Sequence, residues 1–308
     1  MSEAEHEELR VVFVGNSYLY FNDTPQILAR LVPGLEYEQV TPGGQTFQGH
    51  LADPRLELML TGSGSASSSI RRSKGETTFF ADGGGWDILV LQDHSCHMGG
   101  ATNALTGENT RESSLGAIAG LAALVKAGAA KMRRKPRVLL FAGWAHRNGA
   151  AYDHFKESYP DFETHHARNG EGILLYMDAL REALGEDIPV DCVRAGDAFA
   201  AVRAVDRSLY DSLFVPDNLH PSRAGSYLAS WVAVPHLVQG RRSLEESVVA
   251  SYTPSDADMD RRLHCDSRQE PPWEPSDVYQ CDKWPEVTPV CIDDALAVRL
   301  RTFAASVA

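Results

Sequence analysis

Three residue types that act together in nucleophilic catalysis occur in this chain at positions where one site can collect them. Ser17 follows an apolar run, residues 10–14, that stops at Gly15. Asp217 and His220 lie three residues apart near the other end of the chain. A serine hydroxyl becomes an effective nucleophile when an imidazole takes its proton and a carboxylate fixes the imidazole tautomer. The sequence therefore predicts Ser17 as nucleophile, His220 as base and Asp217 as its orienting acid.

The elements around these residues predict an α/β fold. A short β-branched and aromatic run that ends in glycine is typical of a buried parallel strand, and ligands of open α/β sheets bind at the carboxyl ends of such strands. Similar runs alternate with helical patterns along the chain, which favours a three-layer α/β/α architecture with a flavodoxin-like, five-stranded parallel sheet. The strands are predicted at 10–14, 35–41, 86–92, 136–143 and 188–193, and the longer helices at 50–60, 108–134, 170–184 and 222–238.

Two segments depart from this alternation. Residues 62–85 begin with a Gly/Ser-rich stretch and are expected to form a surface excursion. Beyond Gly240 several prolines exclude long regular elements until a last predicted helix at 293–303. We therefore divide the chain into a catalytic domain, residues 1–240, and an extension, residues 241–308, packed on the core.

Composition and net charge limit the classes of partner that the protein is expected to bind. A net charge of -13 argues against nucleic acid and anionic membranes, which reward clusters of Lys and Arg. The longest apolar stretches are shorter than the roughly 20 residues of a membrane-spanning helix, and the acidic start of the chain lacks a secretory signal pattern. We expect a cytoplasmic protein, although a secreted one whose signal has been removed has the same pattern.

The cysteines give a weaker indication. They are five in number without a Cys-x-x-Cys pair, which is a poor disulfide framework and favours free thiols. Cys265, Cys281 and Cys291 are nevertheless close enough in sequence for one bridge among them.

The same segments resemble the SGNH/GDSL hydrolase superfamily, in particular its branch with Gly-Asn-Ser near the start and Asp-x-x-His-Pro-x-x-x-Gly-x-Tyr-Leu near the end. The resemblance covers about residues 10 to 238. It implies that Ser17 is the nucleophile, that Asp217 and His220 are the final acid and base, and that Gly44 is the glycine of the second block. The third block of the family usually carries Gly-x-Asn-Asp, whereas this chain has Leu91-Gln92-Asp93-His94.

The family pattern also implies an oxyanion hole formed by the backbone N–H at Ser17, the N–H of Gly44 and the side-chain amide of Gln92. Glutamine has the same amide donor as asparagine, one methylene further from the backbone. Gln92 is therefore either an oxyanion donor or a scaffold of its loop. No cofactor or metal is implied, and Asp93 is expected to structure the loop.

The leading hypothesis is a metal-independent serine esterase that hydrolyses a small-molecule ester through an acyl-enzyme, with O-acetylated carbohydrate as the foremost candidate substrate. One alternative is a catalytically weak ligand-binding protein on the same fold. Another is a metal hydrolase that uses His94, His97 and Asp217, although the histidine spacings match no strong zinc signature. Six histidines are expected instead to be solvated or to line a pocket: His94, His97, His146, His154, His165 and His166.

Overall fold

The computed structural model of the protein describes residues 8–64, 70–75, 77–254 and 292–307. Six strands lie within these residues: β1 (Leu9–Val14), β2 (Leu35–Val40), β3 (Arg71–Arg72), β4 (Ile88–Leu91), β5 (Arg137–Phe141) and β6 (Val190–Val193). They form one sheet in the order β3-β2-β1-β4-β5-β6. All neighbouring pairs are parallel except β2 and β3. The five parallel strands therefore have the flavodoxin-like order that the fold prediction requires.

The prediction of a five-stranded, wholly parallel sheet is wrong at one edge. The two-residue strand β3 pairs antiparallel with β2, with Arg72 opposite Glu38 and Arg71 opposite Gln39. It lies in the segment that the sequence predicts as a surface excursion. Two arginines carry no strand pattern, and the guanidinium of Arg72 is held by an ion pair to the buried Glu38 carboxylate, 3.3 Å away. Contacts distant in sequence therefore create this strand.

The helices cover both faces of the sheet. They are α1 (Ser17–Tyr20), α2 (Thr24–Leu31), α3 (Phe47–Leu51), α4 (Pro54–Thr61), α5 (Thr110–Ala129), α6 (Phe162–Leu184), α7 (Ala195–Val205), α8 (Arg207–Ser212), α9 (Arg223–Val238), α10 (Arg242–Ser247) and α11 (Asp294–Ala305). Short 3-10 helices span Phe21–Asp23 and Asp153–Phe155. No helix in the described ranges is both long and apolar enough to cross a membrane.

Alternation along β1 shows how the two layers are separated. Val11 and Phe13 join the hydrophobic core that includes α2, α7 and α9. Val12 and Val14 join the core on the opposite face, with α4, α5 and α6. Because successive side chains of a strand point to opposite faces, a strand that is apolar at both sets of positions must be covered on both sides. The carboxyl ends of the strands are left as the edge where polar loops gather.

Several helix boundaries differ from those predicted. Helix α6 begins at Phe162, eight residues before the predicted start, because Asp161 caps its first turn by accepting the N–H of Thr164 at 2.7 Å. Its first turns are polar and rich in histidine, so they lack an apolar pattern. The predicted helix at 50–60 is two helices separated near Asp53, whose carboxylate caps the second.

Helices α7 and α8 were not predicted. They follow β6 directly, and the buried residues Ala195, Ala198, Phe199 and Val202 show that α7 has the apolar spacing of a helix.

Part of the predicted extension packs on the core. Ala297, Leu300 and Ala304 of α11 are buried in the same hydrophobic core as α9. The Arg299 guanidinium pairs with the Asp206 carboxylate at 2.6 Å, at the end of α7. The prolines and tryptophans at 271–289 lie outside the described residues, as do Cys265, Cys281 and Cys291. Cys96 and Cys192 are free thiols.

Candidate active site

Ser17 is the first residue of α1, at the carboxyl end of β1. The side chain of Asn16 caps this helix by accepting the N–H of Tyr18 at 3.2 Å. Ser17 is 7% exposed. Its own N–H makes no hydrogen bond in the described residues and belongs to the first turn of the helix, where backbone N–H groups lack intrahelical partners. The hydroxyl and an available N–H donor are thus at one point of the sheet edge.

Two side chains from other elements fix the turn that leads to Ser17. Nε2–H of His50 donates to the carbonyl of Gly15 at 2.8 Å, and the N–H of Asn16 donates to Oε1 of Gln92 at 2.9 Å. A Cβ at Gly15 would lie 2.6 Å from that Gln92 oxygen, so the close approach requires glycine. Burial lowers the pKa of His50 to about 4, which keeps its ring neutral at physiological pH. The serine is therefore presented on a constrained backbone.

Asp217 and His220 form a hydrogen-bonded pair in the loop between α8 and α9. Nδ1 of His220 lies 2.5 Å from Oδ2 of Asp217, and the carboxylate also accepts the N–H groups of Leu219 and His220, each at 2.9 Å. Burial raises the pKa of Asp217, but these hydrogen bonds outweigh it and the pKa is lowered overall. Since the carboxylate can only accept, the imidazole proton is on Nδ1 and Nε2 is free to take a proton.

Phe21 and Asn22 join the serine segment to the histidine loop. The Phe21 ring stacks on His220 with centroids 4.0 Å apart and planes inclined by 3°. Nδ2 of Asn22 donates to the carbonyl of Pro221 at 2.9 Å and to Oγ of Ser226 at 3.0 Å. The structure thus brings Ser17, Asp217 and His220 to one region. It records no hydrogen bond between the Ser17 hydroxyl and His220 in the described residues, and such bonds are often long before substrate binds.

Phe21 and Asn22 were missed by sequence reasoning. Asn22 has φ 53° and Asp23 has φ 54°, two consecutive left-handed residues that are not glycine. Asparagine and aspartate tolerate this conformation better than other residues, and strained backbone is often found at functional sites. From the sequence alone, Asn22 and Asp23 indicate only the cap of a following helix. Asp23 instead forms an ion pair with Arg71, with 2.5 Å between the carboxylate and the guanidinium.

The two remaining predicted oxyanion donors occupy different environments. Gly44 follows β2 with φ 65°, and no atom lies within 4 Å of the position a Cβ would take. Its N–H makes no hydrogen bond within the described part of the chain. Gln92 follows β4 and is 1% exposed. Its oxygen accepts from Asn16, while one amide N–H donates to the carbonyl of Asp93. Gln92 therefore supports the turn that leads to Ser17, and the second N–H of its side-chain amide is left as a donor.

Asp93 organises the loop after β4, as expected from the sequence. Its Oδ1 accepts the N–H of Phe47 at 3.0 Å, and its Oδ2 accepts the hydroxyl of Tyr176 at 2.8 Å. The carboxylate is 4% exposed. It ties the start of α3, beside the Gly44 turn, to α6.

Ser95 and His146 form a second serine–histidine pair, in the loops after β4 and β5. Oγ of Ser95 is 2.8 Å from Nε2 of His146, and Nδ1 of His146 accepts the N–H of Ala151 at 2.8 Å. Because Nδ1 accepts, the ring proton is on Nε2 and points at the serine. Burial lowers the pKa of His146 well below its usual range, so the ring stays neutral. His146 therefore cannot take a proton from Ser95.

The residues of the metal hypothesis are not arranged as ligands. No group of three or more His, Cys, Asp or Glu side chains in the described ranges is placed to hold a metal ion. Nδ1 of His94 accepts the N–H of Cys96 at 3.3 Å, and both oxygens of Asp217 serve its own loop. His94 and His97 lie side by side, with ring centroids 5.2 Å apart. Asp217 belongs with His220 rather than with this pair.

Comparisons with known proteins bear on the fold. No family model matches the chain, and no curated protein matches it. Among solved structures, the chain is similar to a DUF4886 family protein from Bacteroides uniformis, with 13% identity over 97% of this chain and 94% of that one, at a TM-score of 0.55.

Two further structures are similar at lower TM-scores. A carbohydrate esterase family 3 protein from Talaromyces cellulolyticus has 11% identity over 75% of this chain and 97% of that one, at a TM-score of 0.45. A member of the lipolytic G-D-S-L family from Veillonella parvula has 10% identity over 75% and 99%, at a TM-score of 0.46. At these identities the comparisons concern the fold alone.

Proposed function

We propose that this protein is a serine esterase that uses Ser17, His220 and Asp217. The observation that carries the proposal is the pairing of Asp217 with Nδ1 of His220, 2.5 Å apart, which leaves Nε2 as a base beside the segment that presents Ser17. The stack of Phe21 on His220 and the hydrogen bond of Asn22 to Pro221 hold the segment after Ser17 against the loop that carries His220. An imidazole without such a carboxylate, as at His146, does not have this capacity.

In the proposed first step, Oγ of Ser17 attacks the ester carbonyl carbon while its proton passes to Nε2 of His220. The carbonyl oxygen becomes an oxyanion, stabilised by the N–H of Ser17, the N–H of Gly44 and the free amide N–H of Gln92. Loss of one such donor typically costs about a hundred- to thousand-fold in rate. The intermediate collapses as the C–O bond to the alcohol breaks. The imidazolium of His220 gives its proton to the departing alkoxide, which leaves an acyl-enzyme on Ser17.

In the second step the same base activates water. His220 takes a proton from a water molecule whose oxygen attacks the acyl carbon, and the second tetrahedral intermediate expels Oγ of Ser17. The proton returns from His220 to the serine, and a carboxylic acid is released. The Asp217 carboxylate stabilises the imidazolium in both steps without itself becoming protonated. No cofactor is required by this scheme.

The proposed substrate is a small ester, with an O-acetylated carbohydrate as the foremost candidate. The net charge of -13 supports a neutral or cationic substrate over an anionic one. Ester hydrolysis is also the activity implied by the resemblance to SGNH/GDSL hydrolases, which is an argument from fold and carries less weight than the site itself.

A fluorophosphonate probe tests the proposal directly. The proposal expects covalent labelling of Ser17, identified by peptide mass spectrometry, and hydrolysis of short p-nitrophenyl esters. The Ser95→Ala variant is the matched control and should label as the wild type does. Absence of labelling at Ser17 together with absence of ester hydrolysis would favour the alternative of a ligand-binding protein on this fold.

A further inference from the structure

A group of partly exposed imidazoles lies next to the proposed catalytic centre and has no part in the mechanism above. His94 and His97 follow β4, and His154 lies in the loop after β5. Since β1, β4 and β5 are neighbours in the sheet, these loops meet at the same edge as Ser17. His97, His154 and His220 are close enough to His94 to help lower the pKa of its ring, after the larger effect of burial.

Each of these rings retains hydrogen-bonding capacity. Nδ1 of His94 accepts the N–H of Cys96 at 3.3 Å, so its proton is on Nε2, and no group in the described ranges accepts it. Nδ1 of His97 is 3.0 Å from Oγ of Ser114, which leaves Nε2 without a protein partner in the same ranges. His154 makes no side-chain hydrogen bond to the described residues. Three imidazoles with unused ring nitrogens thus lie in loops at the sheet edge that carries Ser17.

The His94 and His97 rings are uncharged. Burial is the main cause that lowers the pKa of His94 to about 3 and that of His97 to about 4, so both rings are neutral at physiological pH. The carboxylate of Asp93 is occupied by its own loop contacts. Asp153 is paired with Lys156, 2.6 Å away. His94 and His97 therefore offer neutral donors and acceptors to a ligand.

The Tyr152 ring packs beside two of these histidines. Its ring centroid lies 5.7 Å from that of His94 and 5.7 Å from that of His154, so it joins the two loops. A neutral imidazole offers one donor and one acceptor, as a hydroxyl does. A ligand rich in hydroxyl groups can satisfy such a surface, whereas a charged ligand finds no counter-charge on His94 or His97 and an apolar one leaves polar groups unpaired.

We propose that His94, His97, His154 and Tyr152 form a binding subsite for the alcohol portion of the substrate, and that this portion is an uncharged polyhydroxylated molecule. His94 is the residue next to the reacting atoms and donates its Nε2–H to an oxygen of the ligand. The inference rests on the proposed esterase function, since it places this ligand on the leaving-group side of the ester.

Two acetyl esters that differ only in the alcohol provide the test. Glucose 6-acetate carries hydroxyl groups on the leaving group, and p-nitrophenyl acetate does not. The His94→Phe variant should lose at least tenfold more kcat/KM on glucose 6-acetate than on p-nitrophenyl acetate, mainly through KM. The His94→Gln variant, which restores a donor, should recover part of that difference. Equal losses on both esters, or no loss on either, would overturn the subsite.

Controls separate this result from a folding defect and from failure of the esterase proposal. His166→Phe, on α6 outside the subsite, should leave the ratio of the two activities unchanged. If His94→Phe fails to fold, His154→Phe takes its place with the same criterion. If the wild type hydrolyses neither ester, the esterase proposal fails and calorimetric titration with glucose 6-acetate decides the subsite. Binding weakened at least tenfold by His94→Phe would support it, and absent or unaltered binding would overturn it.

Discussion

Two serine–histidine arrangements among the described residues, Ser17 with His220 and Ser95 with His146, differ in the tautomer of the imidazole. In the first, the Asp217 carboxylate accepts the proton on Nδ1 of His220, so Nε2 is an acceptor. In the second, Nδ1 of His146 itself accepts the N–H of Ala151, so Nε2 donates toward Ser95. The residue types are the same. The group that faces Nδ1 sets the tautomer and thereby decides which histidine can serve as a base.

The two pairs also differ in what surrounds them. His220 and Asp217 have side chains that are 18% and 22% exposed, so a substrate can reach the base. His146 is fully buried. A base must meet the hydroxyl, the substrate and eventually water, whereas a buried neutral histidine can satisfy backbone groups and fill space. We interpret Ser95 and His146 as the structural support of the loops that carry the proposed subsite.

Loss of the nucleophile is the largest expected effect. Ser17→Ala should lower kcat for p-nitrophenyl acetate by about a thousandfold or more, because the variant has no oxygen to form the acyl-enzyme. Ser95→Ala, the matched change in the second pair, should retain kcat within about threefold. Stopped-flow and steady-state assays of both purified variants measure the contrast. Comparable losses in the two variants would show that the pairs are not distinguished as the structure indicates.

The second largest effect is expected from Asp217→Asn, which should give His220 the tautomer that His146 has. Asp217→Asn keeps an oxygen for the N–H groups of Leu219 and His220 and places an amide donor opposite Nδ1. The imidazole then carries its proton on Nε2, as His146 does. We expect kcat to fall by about a thousand- to ten-thousandfold, the size seen when a triad loses control of the tautomer.

An unchanged unfolding midpoint should accompany the loss of activity in Asp217→Asn. Combination with Ser17→Ala should add little to the loss, since the two residues act as one unit. Wild-type turnover by Asp217→Asn would remove tautomer control from the mechanism.

The sequence was informative where a pattern is local and silent where it depends on distant contacts. Strands such as β4 and β5 are continuous apolar runs. Ser17 was proposed from its place at a strand end, and Asp217 and His220 from their spacing just before a helix. Phe21 and Asn22 have no such signal, because the partner of Asn22 is Pro221, 199 residues away. Strand β3 consists of two arginines whose pairing depends on Glu38 in β2. The histidines of the proposed subsite were expected to be solvated or to line a pocket, and their tautomers depend on hydrogen bonds that the sequence does not reveal.

The third largest effect is expected from loss of the Asn22 side chain. Asn22 contacts the loop that carries His220 and is not expected to contact the substrate. Asn22→Gly removes both side-chain hydrogen bonds and tolerates φ 53°. We expect kcat to fall by about tenfold with KM little changed, as the interaction fixes His220 in the reactive geometry. Asn22→Ala should lose a similar amount of activity and in addition about 1 kcal/mol of stability from the strained backbone. A kcat that is unchanged in Asn22→Gly would mean that the loop holds its position without Asn22.

Gln92 tests the oxyanion hole of the active pair. Its oxygen supports Asn16 and its remaining N–H is available to the intermediate, so both roles predict a loss when the amide is removed. Gln92→Ala should lower kcat by at least about tenfold with KM little changed. Gln92→Asn should recover part of that loss if the loop adjusts to the shorter side chain. If kcat of Gln92→Ala equals that of the wild type, only the backbone donors of Ser17 and Gly44 remain for this role.

The smallest effect is expected from His165, which contacts both Ser95 and His146 and affects the stability of the fold at acidic pH. Nδ1 of His165 accepts the N–H of His146 at 3.3 Å, and its Nε2–H donates to the carbonyl of Ser95 at 3.1 Å. Burial is the main cause that lowers the pKa of His165 to about 4, with smaller contributions from His166 and His94. In the unfolded chain the ring has its ordinary pKa of about 6.5. The unfolded state therefore binds more protons in between, and the stabilising contribution present above about pH 6.5 is lost as the pH falls toward 4.

His165→Gln keeps an amide donor for the Ser95 carbonyl and cannot take up a proton. We expect its free energy of unfolding in urea to fall less between pH 7.5 and pH 5 than that of the wild type. Other buried histidines, such as His50, still contribute to the decrease in the variant, so the difference is partial. Turnover at pH 7.5 should stay within about twofold, because this histidine supports the pair that lacks base function. An identical decrease in both proteins would show that His165 is protonated equally in the folded and unfolded states.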